Sequence, residues 1–546
     1  MTSFLVDLLD TVLYNNSFWS EYDALFYTLI ICSILYAIYI NYDELRANLT
    51  EKREKLITIL LVLSVLVGGF FRITNMSFES NAYDSTWEYI NGARYFSETN
   101  RIFKCYGPNF YNCGGATPVS HPALFSLILG SIYSFIGYSL GAVIFLSIFV
   151  SILTIPLSYI SVKTFFEDKK IGLAAAIILS VFPIHAIYSG NLDFAISVFS
   201  VFSIFFVILA TGIVIKNDTK NSWILLMASY LFTVSFRWEH PFVILFSLAL
   251  IVSSKKDTFS YIKEKLSETW FWIYGMIFSL LAVAPLKGIY TVWFRHESLG
   301  RSFTAEFFVK NFSLAHELLS RLYNIPGLML FLLIPFAFRE DKKKSSIFII
   351  WWLTYILLYS FFRNGLTDRY VMNSLPPLIL LGCMGLKNLF RNIKIREKIG
   401  QDRLIVLFSI IMLLTVFISI PGQDPLISYE VHKRDDIGGF NEITNELDKP
   451  LLVPEVNTLL AFLTESDRTV YSFLTISLYE HLDNPGEIYF LNSERCKFEP
   501  AKNVCQKILE HSEKTDITLN EWEIHILDIT SEEWASIVEK VSDKNF

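Results

Sequence analysis

Apolar runs of about 15 to 25 residues recur along almost the whole of this chain, and they limit its possible folds more than any other feature. A helix of that length crosses about 30 Å of hydrocarbon. The runs lie at roughly 24–40, 56–73, 139–161, 171–189, 191–215, 222–236, 240–254, 269–291, 326–338, 347–362, 370–386 and 403–421. Charged residues make up 18% of the 546 and apolar residues 53%, whereas a soluble chain is about a quarter charged. The expected fold is a polytopic α-helical membrane protein of about 12 transmembrane helices with a small α/β soluble domain at its C-terminal end. Residues 1–23 carry no Lys or Arg, so the signal-peptide pattern is missing and the first run reads as a true span.

Charge in the loops sets the expected sidedness. The loops at 41–55, 162–170, 216–221, 255–268, 339–346 and 387–402 are short and basic, while those between them are nearly absent or poor in Lys and Arg. Basic loops stay on the cytoplasmic side. The alternation fits twelve spans with both ends of the chain outside. Residues 121–138 are apolar enough for a further span, but counting them would put every Lys-rich loop outside. They read instead as a helix lying in, or dipping into, the outer leaflet.

Composition changes after the last run. Residues 422–546 hold 11 Lys/Arg against 25 Asp/Glu, a balance of −14, and the rest of the chain balances at +7. An acidic segment is a poor partner for nucleic acid or anionic lipid, so it reads as a solvated domain and no nucleic-acid partner is expected. Strand-like runs (P-L-L-V-P, R-T-V-Y-S-F, G-E-I-Y-F-L-N and W-E-I-H-I-L-D-I) alternate there with helix-like ones, the pattern of a small α/β domain with a mainly parallel sheet. Three segments result: 1–55 with an extra N-terminal helix and a cytoplasmic loop, 56–421 as the membrane domain, and 422–546 as an extracytoplasmic domain. Cys105 and Cys113 fall in the outer loop 74–120, and Cys496 and Cys505 in the tail, so each close pair is expected to form a disulfide in an oxidising compartment. A zinc site is the alternative reading, but the spacings are unlike those of zinc ligands.

Chemistry is expected at the outer face. In N-A-Y-D-S-T-W-E-Y, Asp84 and Glu88 are four apart and share a helix face among aromatic residues. An interfacial helix whose acids simply face water explains this equally well. Three other outer junctions add charge. Asp193 ends S-G-N-L-D, F-R-W-E-H-P carries Arg237 and His240, and R-N-G-L-T-D-R-Y carries Arg369 and Tyr370. Each alone reads as an interfacial ion pair; together they set acids and cations at one membrane level, where an ionisable group is costly without a wet cavity or a partner.

The order of these motifs resembles the GT-C superfamily of integral-membrane glycosyltransferases, in particular the branch of protein O-mannosyltransferases and aminoarabinose transferases. An Asp in a long first outer loop precedes H-P-A-L, then S-G-x-x-D, then a late R-Y followed by P-P. The likeness covers about 56–421, and the tail is similar to the extracytoplasmic domains of archaeal members. The resemblance implies that Asp84 is the catalytic carboxylate, with Asp193 the acid of the second outer loop. His121, Arg369 and Tyr370 match positions that hold the donor phosphate, and Arg237 and His240 occupy a plausible one. Ser85 stands where the branch has a second acid, for which Glu88 is a candidate substitute. Ala123 stands where the family's H/K-P-P-L has its second Pro.

By that resemblance the donor is a polyprenyl-phosphate sugar (dolichyl-phosphate type) held in the bilayer of the cell membrane, and the acceptor is a glycan, lipid or protein. No cofactor is required, and whether a divalent cation takes part is left open. An oligosaccharyltransferase or polysaccharide polymerase with a lipid-diphosphate donor is the nearest alternative, although W-W-D-Y-G is missing from the chain. A lipid or sugar transporter would instead carry acids near the bilayer midplane or paired broken helices.

Overall fold

A computed structural model of the chain describes residues 17–50, 54–76, 89–104, 117–118, 122–290, 305–360, 368–391 and 400–419. In the tail it describes 447, 449, 451–453, 470–472, 487–492, 494–497, 501–519 and 522–528. Along the chain the helices are α1 Ser17–Ile40, α2 Tyr42–Thr50, α3 Lys55–Thr74, α4 Asn91–Thr99, α5 Leu124–Ile136, α6 Leu140–Phe166 and α7 Lys169–Val181. Next come α8 Pro183–Tyr188, α9 Ala195–Lys216, α10 Lys220–Val234, α11 Pro241–Ser253, α12 Thr258–Ser267, α13 Thr269–Leu281 and α14 Val283–Tyr290. Then follow α15 Ala305–Glu340, α16 Lys342–Ser360, α17 Asp368–Met372, α18 Leu375–Arg391, α19 Gln401–Leu414 and, in the tail, α20 Ala501–Glu510. The chain divides into two compact units. One comprises 1–76, 120–125 and 144–431, and the other 77–119, 126–143 and 432–546.

The first unit is a helical bundle. Four of the described helices are long and apolar enough to cross a membrane: Tyr22–Ile40, Lys55–Thr74, Leu140–Phe166 and Ala195–Lys216. Their outward faces are greasy. On α3 the exposed stripe is Ile59, Val62, Leu66, Phe70 and Ile73, while Leu61, Ser64, Gly68, Phe71 and Arg72 point inward. A soluble helix has the opposite arrangement, so this stripe is built for lipid. The central helix α9 is buried along most of its length and lines up Ser197, Ser200 and Ser203, each fully buried. Small residues let backbones approach closely without a hydrophobic drive. At Gly172 a Cβ would stand 2.6 Å from Tyr159 O, and at Gly385 2.2 Å from Leu333 O, so those two crossings require glycine.

Several expected spans are broken. The run 171–189 divides at Phe182, because Pro183 opens α8 at its first turn. The run 269–291 divides at Ala282, between α13 and α14. The helix over 326–338 extends back to Ala305 through Asn324, whose φ of 47° breaks the helical path two residues before Pro326. The run 370–386 is interrupted between Met372 and Leu375. Helix α5 has 13 residues, about 20 Å of rise, which is short of the hydrocarbon thickness.

In the second unit the tail carries strands β3 Leu451–Val453, β4 Val470–Ser472, β5 Glu487–Asn492, β6 Glu513–Leu519 and β7 Trp522–Asp528, after a two-residue pair β1 Phe103–Lys104 and β2 Thr117–Pro118. The five-stranded order is β4-β3-β5-β7-β6. Strand β3 runs parallel to β4 and β5, whereas β5–β7 and β6–β7 are antiparallel. The sheet is therefore mixed, not mainly parallel. Strand β6 was not expected because E-K-T-D-I-T-L is charged at three of its first four positions, as suits an edge strand that must not pair with another chain.

Cys496 and Cys505 form a disulfide, closing a short loop at the start of α20. Cys105 and Cys113 lie outside the described residues. Replacing Cys505 by Ser is expected to lower the stability of the tail by about 2–3 kcal/mol through lost loop closure. Unfolding with and without reductant measures it; a tail indifferent to reductant would mean the bridge does not hold it.

Candidate active site

The short turn between α10 and α11 is where polar groups gather. Helix α10 ends at Val234 and Pro241 starts α11, leaving Ser235 to His240 to make the corner. Arg237 Nε donates to Glu239 Oε1 at 2.5 Å, and Asn373 Nδ2 donates to the same oxygen at 2.9 Å. Glu239 is fully buried and Arg237 is 5% exposed. Burial pushes the Glu239 carboxyl up, but the charges of Arg237 and His240 and the hydrogen bonds from Tyr359 and Arg237 together outweigh it and hold the group below its usual range. The pair is thus ionised. Its partner Asn373 belongs to the break between α17 and α18, so one carboxylate staples two distant turns.

Tyr370 lies at the centre of this cluster. The Arg237 guanidinium is 5.0 Å from its ring centroid and that of Arg369 is 4.9 Å away. Tyr359 stacks on the same ring, with centroids 3.9 Å apart and an angle of 5° between the planes. Arg369 Nη2 also donates to Tyr370 Oη at 3.1 Å. Two guanidinium groups therefore meet one aromatic ring, and one of them is paired with a carboxylate. His240 is fully buried, with its Nδ1 3.1 Å from Tyr355 Oη. Arg369 is only half-buried, so it is the more accessible of the two arginines.

Backbone contacts bring the other sequence-selected segments into the same neighbourhood. Asp193 lies in the 3₁₀ turn Leu192–Phe194, and one turn later Ser197 Oγ donates to Arg369 O at 2.9 Å. Leu124 N donates to Ser235 O at 3.2 Å, which ties the H-P-A-L turn to the corner bearing Arg237. The structure therefore unites Arg237, His240, Arg369 and Tyr370 and places the Asp193 turn beside them. The side chain of Asp193, and all of Asp84, Glu88 and His121, lie outside the described residues.

A second polar centre joins α3 to α6, α7 and α8. Arg72, fully buried on α3, spends all five of its donors on neutral acceptors. Nε reaches Ser151 Oγ at 2.5 Å, and Nη1 reaches Gly68 O at 2.7 Å and Ser180 O at 3.3 Å. Nη2 reaches Leu179 O at 3.1 Å and His185 Nδ1 at 2.6 Å. His185 belongs to α8, which packs against α17, the helix of Arg369 and Tyr370.

Sequence reasoning noted the acid of F-R-W-E-H-P but gave Glu239 no role, and it overlooked Asn373, Tyr355 and Tyr359. Glu239 carried a signal, an acid two residues after an arginine in F-R-W-E-H-P, yet such a pair equally suits a solvated corner. The other three have no local signal, since only the fold brings them to the cluster. Among the described residues, no group of three or more His, Cys, Asp and Glu is placed to hold a metal ion.

The fold and this cluster define a class: a helical membrane bundle with a cationic, aromatic-lined site at the turns between its helices. By sequence, no family model and no curated protein matches the chain. By structure it is similar to ArnT from Cupriavidus metallidurans, without ligand (TM-score 0.54, 10% identity, 88% of this chain and 98% of that one) and bound to undecaprenyl phosphate (0.52, 10%, 87% and 98%). It is also similar to the oligosaccharyltransferase of Archaeoglobus fulgidus in the apo form (TM-score 0.50, 12% identity, 84% and 72%). Both are GT-C membrane glycosyltransferases, and the chain shares their fold.

Proposed function

We propose that the protein is a membrane glycosyltransferase that moves a sugar from a polyprenyl-phosphate donor to an acceptor at the outer membrane face. The observation that carries this reading is the convergence of Arg237 and Arg369 on Tyr370 within a GT-C fold. A phosphate is charged in both donor and product, and preorganised guanidinium groups hold it with charge-assisted hydrogen bonds. The likeness to ArnT in its undecaprenyl phosphate complex supports a lipid-phosphate ligand.

In this reading the acceptor hydroxyl attacks the anomeric carbon while the bond from that carbon to the lipid phosphate breaks. The bonding pair leaves with the phosphate, where Arg369 and Arg237 stabilise it. The hydroxyl proton passes to a carboxylate, assigned to Asp84 by its motif, with Asp193 as the second acid and Glu88 as the substitute acid. His121 is the remaining candidate phosphate ligand, and His240 supports the cluster from its buried position beside Tyr355. Twelve spans with the tail outside remain the proposed topology. The grouping of residues 77–119 with 432–546 in one compact unit supports placing both on the same face.

Binding of undecaprenyl or dolichyl phosphate to the detergent-solubilised protein tests the reading. Wild type is expected to bind, and Arg369→Ala to bind at least tenfold more weakly, the size of one charged hydrogen bond lost. Binding of a lipid diphosphate only, with no response to the monophosphate, would favour the second reading, an oligosaccharyltransferase-type enzyme, which the likeness to the archaeal protein keeps in view. No binding of either lipid would sink both.

A further inference from the structure

The N-terminal helix α1 reads in the sequence as an extra span ahead of the membrane domain. Its contacts say more. At its inner end, Asn41 Nδ2 donates to Asn221 O at 2.9 Å, and Glu44, just beyond in α2, accepts from Asn217 Nδ2 at 2.6 Å. Further out along the same helix, Asp23 Oδ2 pairs with Lys287 Nζ at 3.0 Å, with both residues buried. One turn along from Asp23, the hydroxyl of Tyr27 accepts a hydrogen bond from the backbone N–H of Ala123 at 2.9 Å. Tyr27 and Ala123 are each 2% exposed.

That last bond lies at the start of α5, where a helix has amides without partners of their own. The usual remedy is a Ser, Thr, Asp or Asn at the cap. The H-P-A-L turn has none of these, and Pro122 has no N–H to place. Among the described residues its first two amides are satisfied from elsewhere in the fold: Ala123 N by Tyr27 Oη, and Leu124 N by Ser235 O at 3.2 Å. An unpaired amide at this depth is expensive, so the two acceptors fix where the turn sits. One acceptor comes from the corner that carries Arg237. The other comes from α1.

We infer that Tyr27 is a positioning residue: the N-terminal helix supplies the cap that holds the H-P-A-L turn in place beside the Arg237 corner. This rests on the functional reading above in one respect only, that the turn's His121, two residues before Ala123, contacts the donor phosphate. On that reading the helix acts on the donor site through this turn. Asp23 and Lys287 hold the same helix but touch neither amide.

Two measurements on the full chain test it. The first is amide hydrogen exchange of the peptide covering Ala123 and Leu124, which does not depend on any activity. Tyr27→Phe is expected to speed exchange there by roughly tenfold, the scale of one net hydrogen bond, while Asp23→Asn paired with Lys287→Gln leaves it unchanged. The second is affinity for undecaprenyl phosphate. Tyr27→Phe should weaken it by roughly tenfold, yet have no further effect in a His121→Ala background, because the two act through one turn. If phenylalanine is not tolerated, Tyr27→Met removes the same acceptor and is read in the same way. Unchanged exchange in either Tyr27 variant overturns the inference, as does an equal effect from the Asp23/Lys287 pair. Faster exchange with unchanged affinity overturns its link to the donor site. A wild type that binds no lipid phosphate overturns the functional reading instead, and the exchange result still decides whether Tyr27 holds the turn.

Discussion

Asp84→Asn is expected to lower sugar transfer from a lipid-phosphate donor by about 10²–10⁴-fold, the usual worth of a positioned base, while donor binding stays close to that of wild type. The amide keeps the size of the side chain and removes its capacity to take the acceptor's proton. Phosphate and lipid are held by other groups, so the loss should fall on kcat and not on donor affinity. Single-turnover transfer measured with saturating donor separates the two. A variant that transfers at the wild-type rate would remove Asp84 from the mechanism and leave Asp193 as the acid to test. A variant that no longer binds donor would make Asp84 a structural acid of the first outer loop.

Glu239→Ala should have the largest effect on stability. It removes the carboxylate that Arg237 and Asn373 share, and breaking a buried pair from one side typically costs about 3–5 kcal/mol. It also leaves Asn373 Nδ2 without its acceptor, loosening the junction that follows Arg369 and Tyr370. The melting temperature in detergent should fall clearly, and lipid-phosphate affinity with it. Replacing both partners, Arg237→Met with Glu239→Leu, should recover much of the stability, because no buried charge remains. That double variant is still expected to bind donor poorly, which separates the structural work of the pair from its electrostatic work. A Glu239→Ala protein as stable as wild type would mean that the ion pair is not buried as described.

Much of the membrane architecture was legible from the apolar runs, since long stretches without charge leave a helix little alternative in lipid. The helices of residues 17–40, 55–74, 140–166 and 195–216 follow those runs closely. The breaks were less legible. Pro183 signals one openly, and Pro285 and Pro326 follow the breaks at Ala282 and Asn324 by three and two residues, but a proline in an apolar run does not say which residue leaves the helical path. At the site, Arg237, His240, Arg369 and Tyr370 could be chosen because charged residues at span ends stand out against apolar surroundings. Tyr355 and Asn373 could not, because their partners His240 and Glu239 lie more than a hundred positions away, and Glu239 and Tyr359 gain their importance only when the fold brings Asn373 and Tyr370 to them. Tyr27 is the clearest instance. Within its own segment it is one more aromatic residue in a greasy helix, and only its distance to Ala123 N distinguishes it.

The five-acceptor cradle around Arg72 has a consequence for proton traffic. The guanidinium can only donate, so His185 Nδ1 must receive, and its lone pair is committed to that contact. The imidazole is thereby fixed as a single tautomer with its hydrogen on Nε2. A ring that relays protons must exchange tautomers, taking a proton at one nitrogen and releasing it from the other. Here one nitrogen is blocked for as long as Arg72 keeps its place, so His185 is a dead end for protons. An imidazole inside a membrane bundle would ordinarily invite the suspicion of a leak between the two compartments. In this protein the arginine beside it closes that route through the imidazole, so the polar contacts that join α3 to α6, α7 and α8 hold the helices together without offering a proton relay.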